Sequence, residues 1–288
     1  MRWILYPLIL VVGLFAIGIA VAAIVLVLTY PNLPSLEVLT DYRPKVPLRV
    51  FTADGQLIGE FGEERRNVVR IEDVPATMKQ AILAAEDERF YQHGGIDTLG
   101  MARAAIMNLT SGGKKQGAST ITQQVARNFF LSSEKTYTRK LYEVLLSFKI
   151  EHNLSKDQIL ELYVNQIFLG QRAYGFSAAA QIYFGKPLKD LTPAEAAMLA
   201  GLPKAPSTFN PVVNPKRAKL RQQYVLRRMR EMGALDDKQY EAAIKQALVI
   251  KRDASEFSAH AEYVAEMARQ ITAERYPDEV YSRGLRVY

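Results

Sequence analysis

Polarity along the chain changes abruptly near residue 30. From Ile4 to Tyr30 the sequence reads "ILYPLILVVGLFAIGIAVAAIVLVLTY", with no charged residue. As a helix this stretch would reach roughly 40 Å, against about 30 Å of bilayer hydrocarbon. A cleavable signal peptide has a shorter apolar region, and "VAA" at Val21 to Ala23 is followed by more apolar residues. Residues 1–30 are therefore expected to form one N-terminal transmembrane helix. A Pro-rich connector follows. In "LRVFTADGQLIGEFG" the apolar residues alternate on both sides of Asp54-Gly55, the pattern of a β-hairpin. Connector and hairpin together occupy residues 31–72.

From Asp73 onward the apolar positions recur at helical spacing. Asp73 is expected to cap a helix with Pro75 in its first turn. Ser155 and Thr192 open capping boxes, the second with Pro193 at the first helical position. Asn214-Pro215 should open a basic helix that Gly233 ends. "SAHAEYVAEMARQI" from Ser258 predicts another helix. The body reads as mainly α with one small β element, with residues 73–250 as its main domain and 251–288 as a linker. The chain stops in "SRGLRVY", which looks like the first residues of a strand. The expectation is that a further part is cut off there; the other reading is that this strand completes the early hairpin.

One helical stripe carries a carboxylate. In "ILAAEDERFYQHGGID", continued back to Met78, the residues Met78, Ile82, Glu86 and Phe90 follow at i, i+4. A surface helix keeps its carboxylates off the apolar face. One placed there is partly desolvated, which raises its pKa toward the range useful for proton transfer. Asp87 falls on the stripe of Leu83 and Tyr91, and Glu88 toward the solvent side. The competing explanation is a helix end emerging into water before Gly94-Gly95.

Composition narrows the chemistry. The 288 residues carry a formal net charge of +7 and no cysteine. Disulfides and thiolate metal sites are excluded, and the three histidines (His93, His152, His260) lack metal-ligand spacing. A basic surface suits anionic partners. The positive-inside bias, with Arg2 before the apolar stretch and Glu37 and Asp41 after it, predicts a cytoplasmic N-terminus and a body on the outer face. Nucleic acid is therefore not an expected partner. Two further clusters stand out. "GASTITQQVARN" holds Ser119, Thr120, Thr122, Gln123 and Gln124 beside Arg127, after the basic loop "SGGKKQG". In "RKLYEVLLSFKIE", Arg139 and Lys140 stand four and three residues before Glu143. Each has a plain alternative, a polar helix start and a local ion pair. Together they offer a desolvated acid, a second acid with two cations, and hydroxyls and amides suited to sugar and phosphate oxygens. Two carboxylates in differing environments are the usual equipment for chemistry at an anomeric carbon.

These residues resemble the glycosyltransferase domain of class A penicillin-binding proteins, glycosyltransferase family 51. The pattern E-D-x-x-F-x-x-H-x-G is met by Glu86, Asp87, Phe90, His93 and Gly95. G-x-S-T-[IL]-T-Q-Q is met by Gly117 to Gln124, and R-K-x-x-E by Arg139, Lys140 and Glu143. K-x-x-I-L-E-x-Y-x-N is met by Lys156, Ile159, Leu160, Glu161, Tyr163 and Asn165; R-x-x-x-V-L-x-x-M by Arg221, Val225, Leu226 and Met229. Arg127 departs from the lysine that many members carry.

The resemblance implies a lysozyme-like glycosyltransferase fold at 73–250 and polymerisation of lipid II into glycan on the outer face of the bacterial cytoplasmic membrane. Glu86 would be the general base, and Glu143 would position substrate or assist at the pyrophosphate. Substrate contacts would come from Asp87, Phe90, His93, Arg103, Ser119, Thr120, Gln123, Gln124, Arg127, Asn128, Arg139, Lys140 and Asn165. A divalent cation, Mg or Mn, would bind at Asp87 or Glu143. Expected partners are lipid II, the growing glycan strand, membrane lipid and other cell-wall synthesis proteins. A transpeptidase domain would follow Tyr288. The S-x-x-K matches at Ser111 and Ser132 have no K-T-G or S-x-N to accompany them and are read as chance. A lysozyme-like glycan-cleaving enzyme and a non-catalytic membrane scaffold remain the other two readings.

Overall fold

The computed structural model describes residues 27–40, 45–62, 64–110, 119–131, 136–251 and 261–288, with scattered positions between 6 and 24. The body is mainly helical with small sheets. Most of the apolar stretch expected as an anchor lies outside the described residues. Those described between 6 and 29 are helical, and Ile9, Leu10, Val12, Ile17, Ile24, Val27 and Leu28 are exposed. Among the described residues, no helix is long and apolar enough to cross a membrane.

The hairpin forms as read. Strands β1 (Leu48–Phe51) and β2 (Leu57–Phe61) pair antiparallel around Asp54-Gly55. The helices of the body follow: α1 (Ala76–Glu86), α2 (Thr98–Thr110), α3 (Ile121–Phe130), α4 (Tyr137–Asn153) and α5 (Lys156–Gln166). Then come α6 (Phe176–Phe184), α7 (Pro193–Ala200), α8 (Pro215–Glu231), α9 (Asp237–Lys245) and α10 (Glu262–Arg275). A short parallel pair joins β3 (Arg65–Arg66) to β4 (Ala173–Tyr174), and β5 (Arg286–Val287) ends the chain.

Capping chemistry explains most of these limits. Ser155, Thr192 and Asp236 form complete capping boxes with Gln158, Glu195 and Gln239. Gly233, at φ +72°, takes the left-handed position just past α8. Asp73 does not cap α1. It ends a one-turn 3-10 helix and pairs with Arg70 at 3.1 Å, while Pro75 takes the cap position and the helix begins at Ala76. The start of the last helix at Ser258 lies outside the described residues; α10 is described from Glu262.

Helix α1 also stops earlier than its periodicity suggests. It ends at Glu86, and Asp87 turns out of the helix at φ −158°. The carboxylate of Asp87 accepts from the Ile121 amide (3.0 Å) and bonds His93 Nε2 (3.0 Å), contacts a continuing helix could not offer it. Phe90 begins a separate 3-10 turn and is fully buried.

Two cores result. The larger unites α1, α3 to α9 and their connections. At its centre α7, "PAEAAMLA", is so rich in alanine that α1 and α8 both pack closely on it. The smaller core joins Leu48, Val50 and Ile58 of the hairpin to Ala265 of α10 and Val280. Strand β5 pairs parallel with β1, so the sheet order is β2-β1-β5. The final strand thus completes the early hairpin. The segments read as connector and linker meet in space.

Candidate functional site

A cleft of about 460 Å³ opens where α1 ends, between α2, the start of α3, the loop after α7, and α8. Glu86 stands at its inner wall. Met78 and Ile82 on the same stripe are buried, as the spacing implied; the Glu86 side chain keeps 12% exposure, with Oε1 buried. Gln124 Nε2 donates to Glu86 Oε2 at 2.8 Å. Glu86 Oε1 has no hydrogen-bonding partner and lies 3.7 Å from Arg221 Nη2. Desolvation raises the Glu86 pKa, partly offset by the Gln124 hydrogen bond and by the charges of Arg221, Lys204 and Arg127. The site therefore holds a carboxylate biased toward taking a proton.

The three clusters meet around the glycine pair. Thr120, the N-cap of α3, accepts from the Gln123 amide and donates through Oγ1 to Gly95 O at 2.6 Å. Gly95 has φ +83°, and a Cβ there would meet Ser147 of α4 at 3.1 Å. The first turns of α3 are buried, which is unusual for so polar a sequence, and its side chains are paired. Gln124 reaches Glu86, and Thr122 reaches Glu151.

Glu143 is buried and held by Arg139 Nη1 on one oxygen and by Lys140 Nζ, at 2.8 Å, on the other. Lys140 continues to Ser119 Oγ (3.0 Å) and Gln123 Oε1 (3.2 Å). This joins the third cluster to the second.

Of the residues singled out in the sequence, Glu86, Asp87, Arg103, Ser119, Thr120, Gln124 and Arg127 line the cleft. Glu143, Arg139, Lys140 and Gln123 form the layer behind Ser119. His93 sits behind Asp87. Three fall elsewhere. Phe90 is core, with Lys156 Nζ over its ring. Asn128 is exposed on α3 and lines no part of the cleft. Asn165 is buried and spends its amide on the backbone: Oδ1 accepts from Val69 N, and Nδ2 donates to Val69 O and Glu161 O. It ties the segment before α1 to α5 rather than facing a substrate. The Asp87 oxygens meet His93 and the Ile121 amide, and those of Glu143 meet Arg139 and Lys140. Among the described residues, no group of three or more His, Asp or Glu is arranged to hold a cation.

Glu88 is exposed, as its reading placed it, and it also lines the cleft and pairs with Arg228 and, at 3.5 Å, with Arg103. Arg89 and Asp97 pair beside it, and Asp97 accepts from the Gly100 amide at the start of α2. Lys204, Arg221, Tyr224 and Arg228 come from the far half of the chain. The cleft is lined by six cations (Arg89, Arg103, Arg127, Lys204, Arg221, Arg228) and four carboxylates (Glu86, Asp87, Glu88, Asp97). The surplus favours an anionic ligand. Burial and the neighbouring Arg221 lower the Lys204 pKa, with Glu86 opposing. Only Arg221 among these four had a sequence signal of its own; a loop lysine has no periodicity to mark it.

Known proteins are similar to this chain over most of its length. The family described as Transglycosylase matches residues 54–230. Penicillin-binding protein 1A of Neisseria meningitidis serogroup A is 56% identical over 279 residues, covering 97% of this chain and 35% of that protein. Penicillin-binding protein 1A of Pseudomonas aeruginosa is 48% identical over 257 residues, covering 89% and 31%. A crystal structure of Penicillin-Binding Protein 1A from Haemophilus influenzae is 34% identical, covers 84% of this chain and 26% of that chain, and has a TM-score of 0.49. The chain spans about a third of the length of these curated relatives. With the family match running from the hairpin turn through the cleft and all five motifs, the chain belongs to the transglycosylase family.

Proposed function

We propose that the chain is a peptidoglycan glycosyltransferase that polymerises lipid II into β-1,4 glycan and releases the lipid pyrophosphate. The observation that carries this is Glu86: a largely buried carboxylate with one oxygen held by Gln124 and the other 3.7 Å from Arg221 and without a hydrogen bond, on a cleft with surplus cations. The Glu86 carboxylate takes the proton of the acceptor's 4-hydroxyl. The freed oxygen attacks the anomeric carbon of the growing strand, and the bond from that carbon to the pyrophosphate oxygen breaks. One displacement inverts the centre from α to β. The electron pair leaves with the pyrophosphate, whose charge Arg127, Lys204, Arg103 and Arg228 offset. To bind it, Arg103 and Arg228 exchange Glu88 for phosphate. Glu143 acts indirectly, by holding Lys140 against Ser119 on the donor side.

A lipid-linked substrate suits the rim. Helix α2, which lines the cleft through Gly100 and Arg103, exposes Leu99, Met101, Ile106 and Met107. Those side chains and the apolar stretch 4–30 would hold the body against the bilayer, with the cleft at the height of lipid head groups. A glycan-cleaving enzyme has no use for four phosphate-directed cations.

The test offers the protein lipid II or finished glycan strands, each with and without a metal chelator. Polymer from lipid II and no cleavage of finished glycan are expected, and a rate that falls with the chelator would place a divalent cation in the reaction. Cleavage of finished glycan would replace the reading with a lytic one.

A further inference from the structure

The turn that ends α1 delivers Glu88 to arginines of two different helices. Its Oε2 accepts from Arg228 Nη2 of α8 and stands 3.5 Å from Arg103 Nη1 of α2. Both guanidiniums thus converge on a single oxygen, and all three side chains line the cleft. The fold has little need of this contact. The side chains of Glu88, Arg103 and Arg228 are 36%, 48% and 22% exposed, and ion pairs this accessible are typically worth under about 1 kcal/mol. Arg228 is also tied through Nη1 to Glu231 Oε2 at 2.6 Å, on its own helix, so it keeps its place without Glu88. Two guanidiniums closing on one oxygen is an arrangement with which arginines grip phosphate. Here the protein supplies the oxygen itself.

We propose that Glu88 is a resident competitor for the diphosphate of the substrate. It holds Arg103 and Arg228 while the cleft is empty, yields them as the diphosphate enters, and retakes them as the product leaves. Affinity for the diphosphate is then a difference between two occupants of the same guanidiniums, not the full strength of the arginine grip. A carboxylate with one charge is displaced by a diphosphate, which brings more charge and more acceptor oxygens. Tethered beside the site, it is present at high effective concentration, which speeds release of the spent carrier. Glu88 therefore regulates the site by occupying its cations and takes no part in bond making.

The inference rests on the proposed function for the identity of the ligand, but its test needs no polymerisation. Inorganic pyrophosphate is titrated calorimetrically, at physiological salt, into the detergent-solubilised native chain and into Glu88→Gln. Both titrations are repeated with Arg103→Ala and Arg228→Ala combined. Glu88→Gln should bind pyrophosphate about tenfold more tightly than the native chain, because one competing charge-assisted hydrogen bond is gone. Replacing a residue with a merely structural role would weaken binding instead. Without the two arginines, Glu88→Gln should change the affinity by less than about twofold, since the remaining field is screened. Unchanged or weaker binding by Glu88→Gln overturns the inference. So does a gain that survives without the arginines, which would be the general field of a carboxylate. If Glu88→Gln does not fold, Glu88→Asp, one methylene shorter, is held to the same expectation. Polymerisation of lipid II is assayed alongside. A native chain inactive on lipid II, with the gain present, fails as a glycosyltransferase and keeps the inference; an active chain without the gain loses the inference alone.

Discussion

Glu86 is held where a carboxylate is expensive. Its pKa is raised by burial, so the native state binds its proton more tightly than the unfolded chain does. The stability tied to that proton is fully present below the ordinary glutamate pKa and is lost as pH rises through the raised native value. Glu86→Gln should therefore leave Tm unchanged in acid and raise it at neutral pH, by roughly 2–4 °C for about 1 kcal/mol. Thermal melts of both proteins across pH check this, and a constant difference would refute it. Asn165→Ala should cost about 2–3 kcal/mol, because three backbone groups around Val69 and Glu161 lose their partner; a denaturant titration reads it. At this scale the sequence was most informative where a residue broke a period. Glu86 on the Met78-Ile82 stripe was visible for that reason. The pairing of Asp87 and Glu88 was not, since it depends on Ile121, Arg228 and Arg103, contacts that no local pattern encodes.

Elements were legible where capping chemistry spoke. Ser155, Thr192 and Gly233 mark real helix limits. The end of α1 was not legible, because a tertiary hydrogen bond to Asp87 overrides a helical periodicity that runs on to Phe90. The start of α3 is the element most tightly bound to the site. Thr120 caps the helix, donates to Gly95 O and sits between Ser119 and the Gln124 that holds Glu86. Thr120→Ala should cost about 1–2 kcal/mol and reduce kcat more than it changes KM, which steady-state kinetics on lipid II would show. Gly175, at φ +83° and ψ 156°, opens α6, and a Cβ there would lie 2.9 Å from the carbonyl oxygens of Val164 and Asn165. Gly175→Ala should destabilise by at least about 2 kcal/mol, measured by chemical unfolding.

Across the whole molecule, two cores divide the described residues. The cleft belongs to the large core, while the hairpin, α10 and β5 form a small core of their own. Reading the chain from one end, the connector and the terminal segment looked separate; the parallel pairing of β1 with β5 and the packing of α10 on the hairpin join them, across some two hundred intervening residues. Leu48→Ala, fully buried there, should cost roughly 2–5 kcal/mol and leave polymerisation near the native rate. The cleft's cations likewise come from α2, α3, α8 and the loop after α7, so a surplus visible in the sequence only as net charge becomes a binding surface in the fold. The most direct test of the account is polymerisation of lipid II by Glu86→Gln beside the native protein at neutral pH. The account predicts glycan polymer from the native protein and none from a variant at least as stable; polymer formed by the variant at a comparable rate would contradict it.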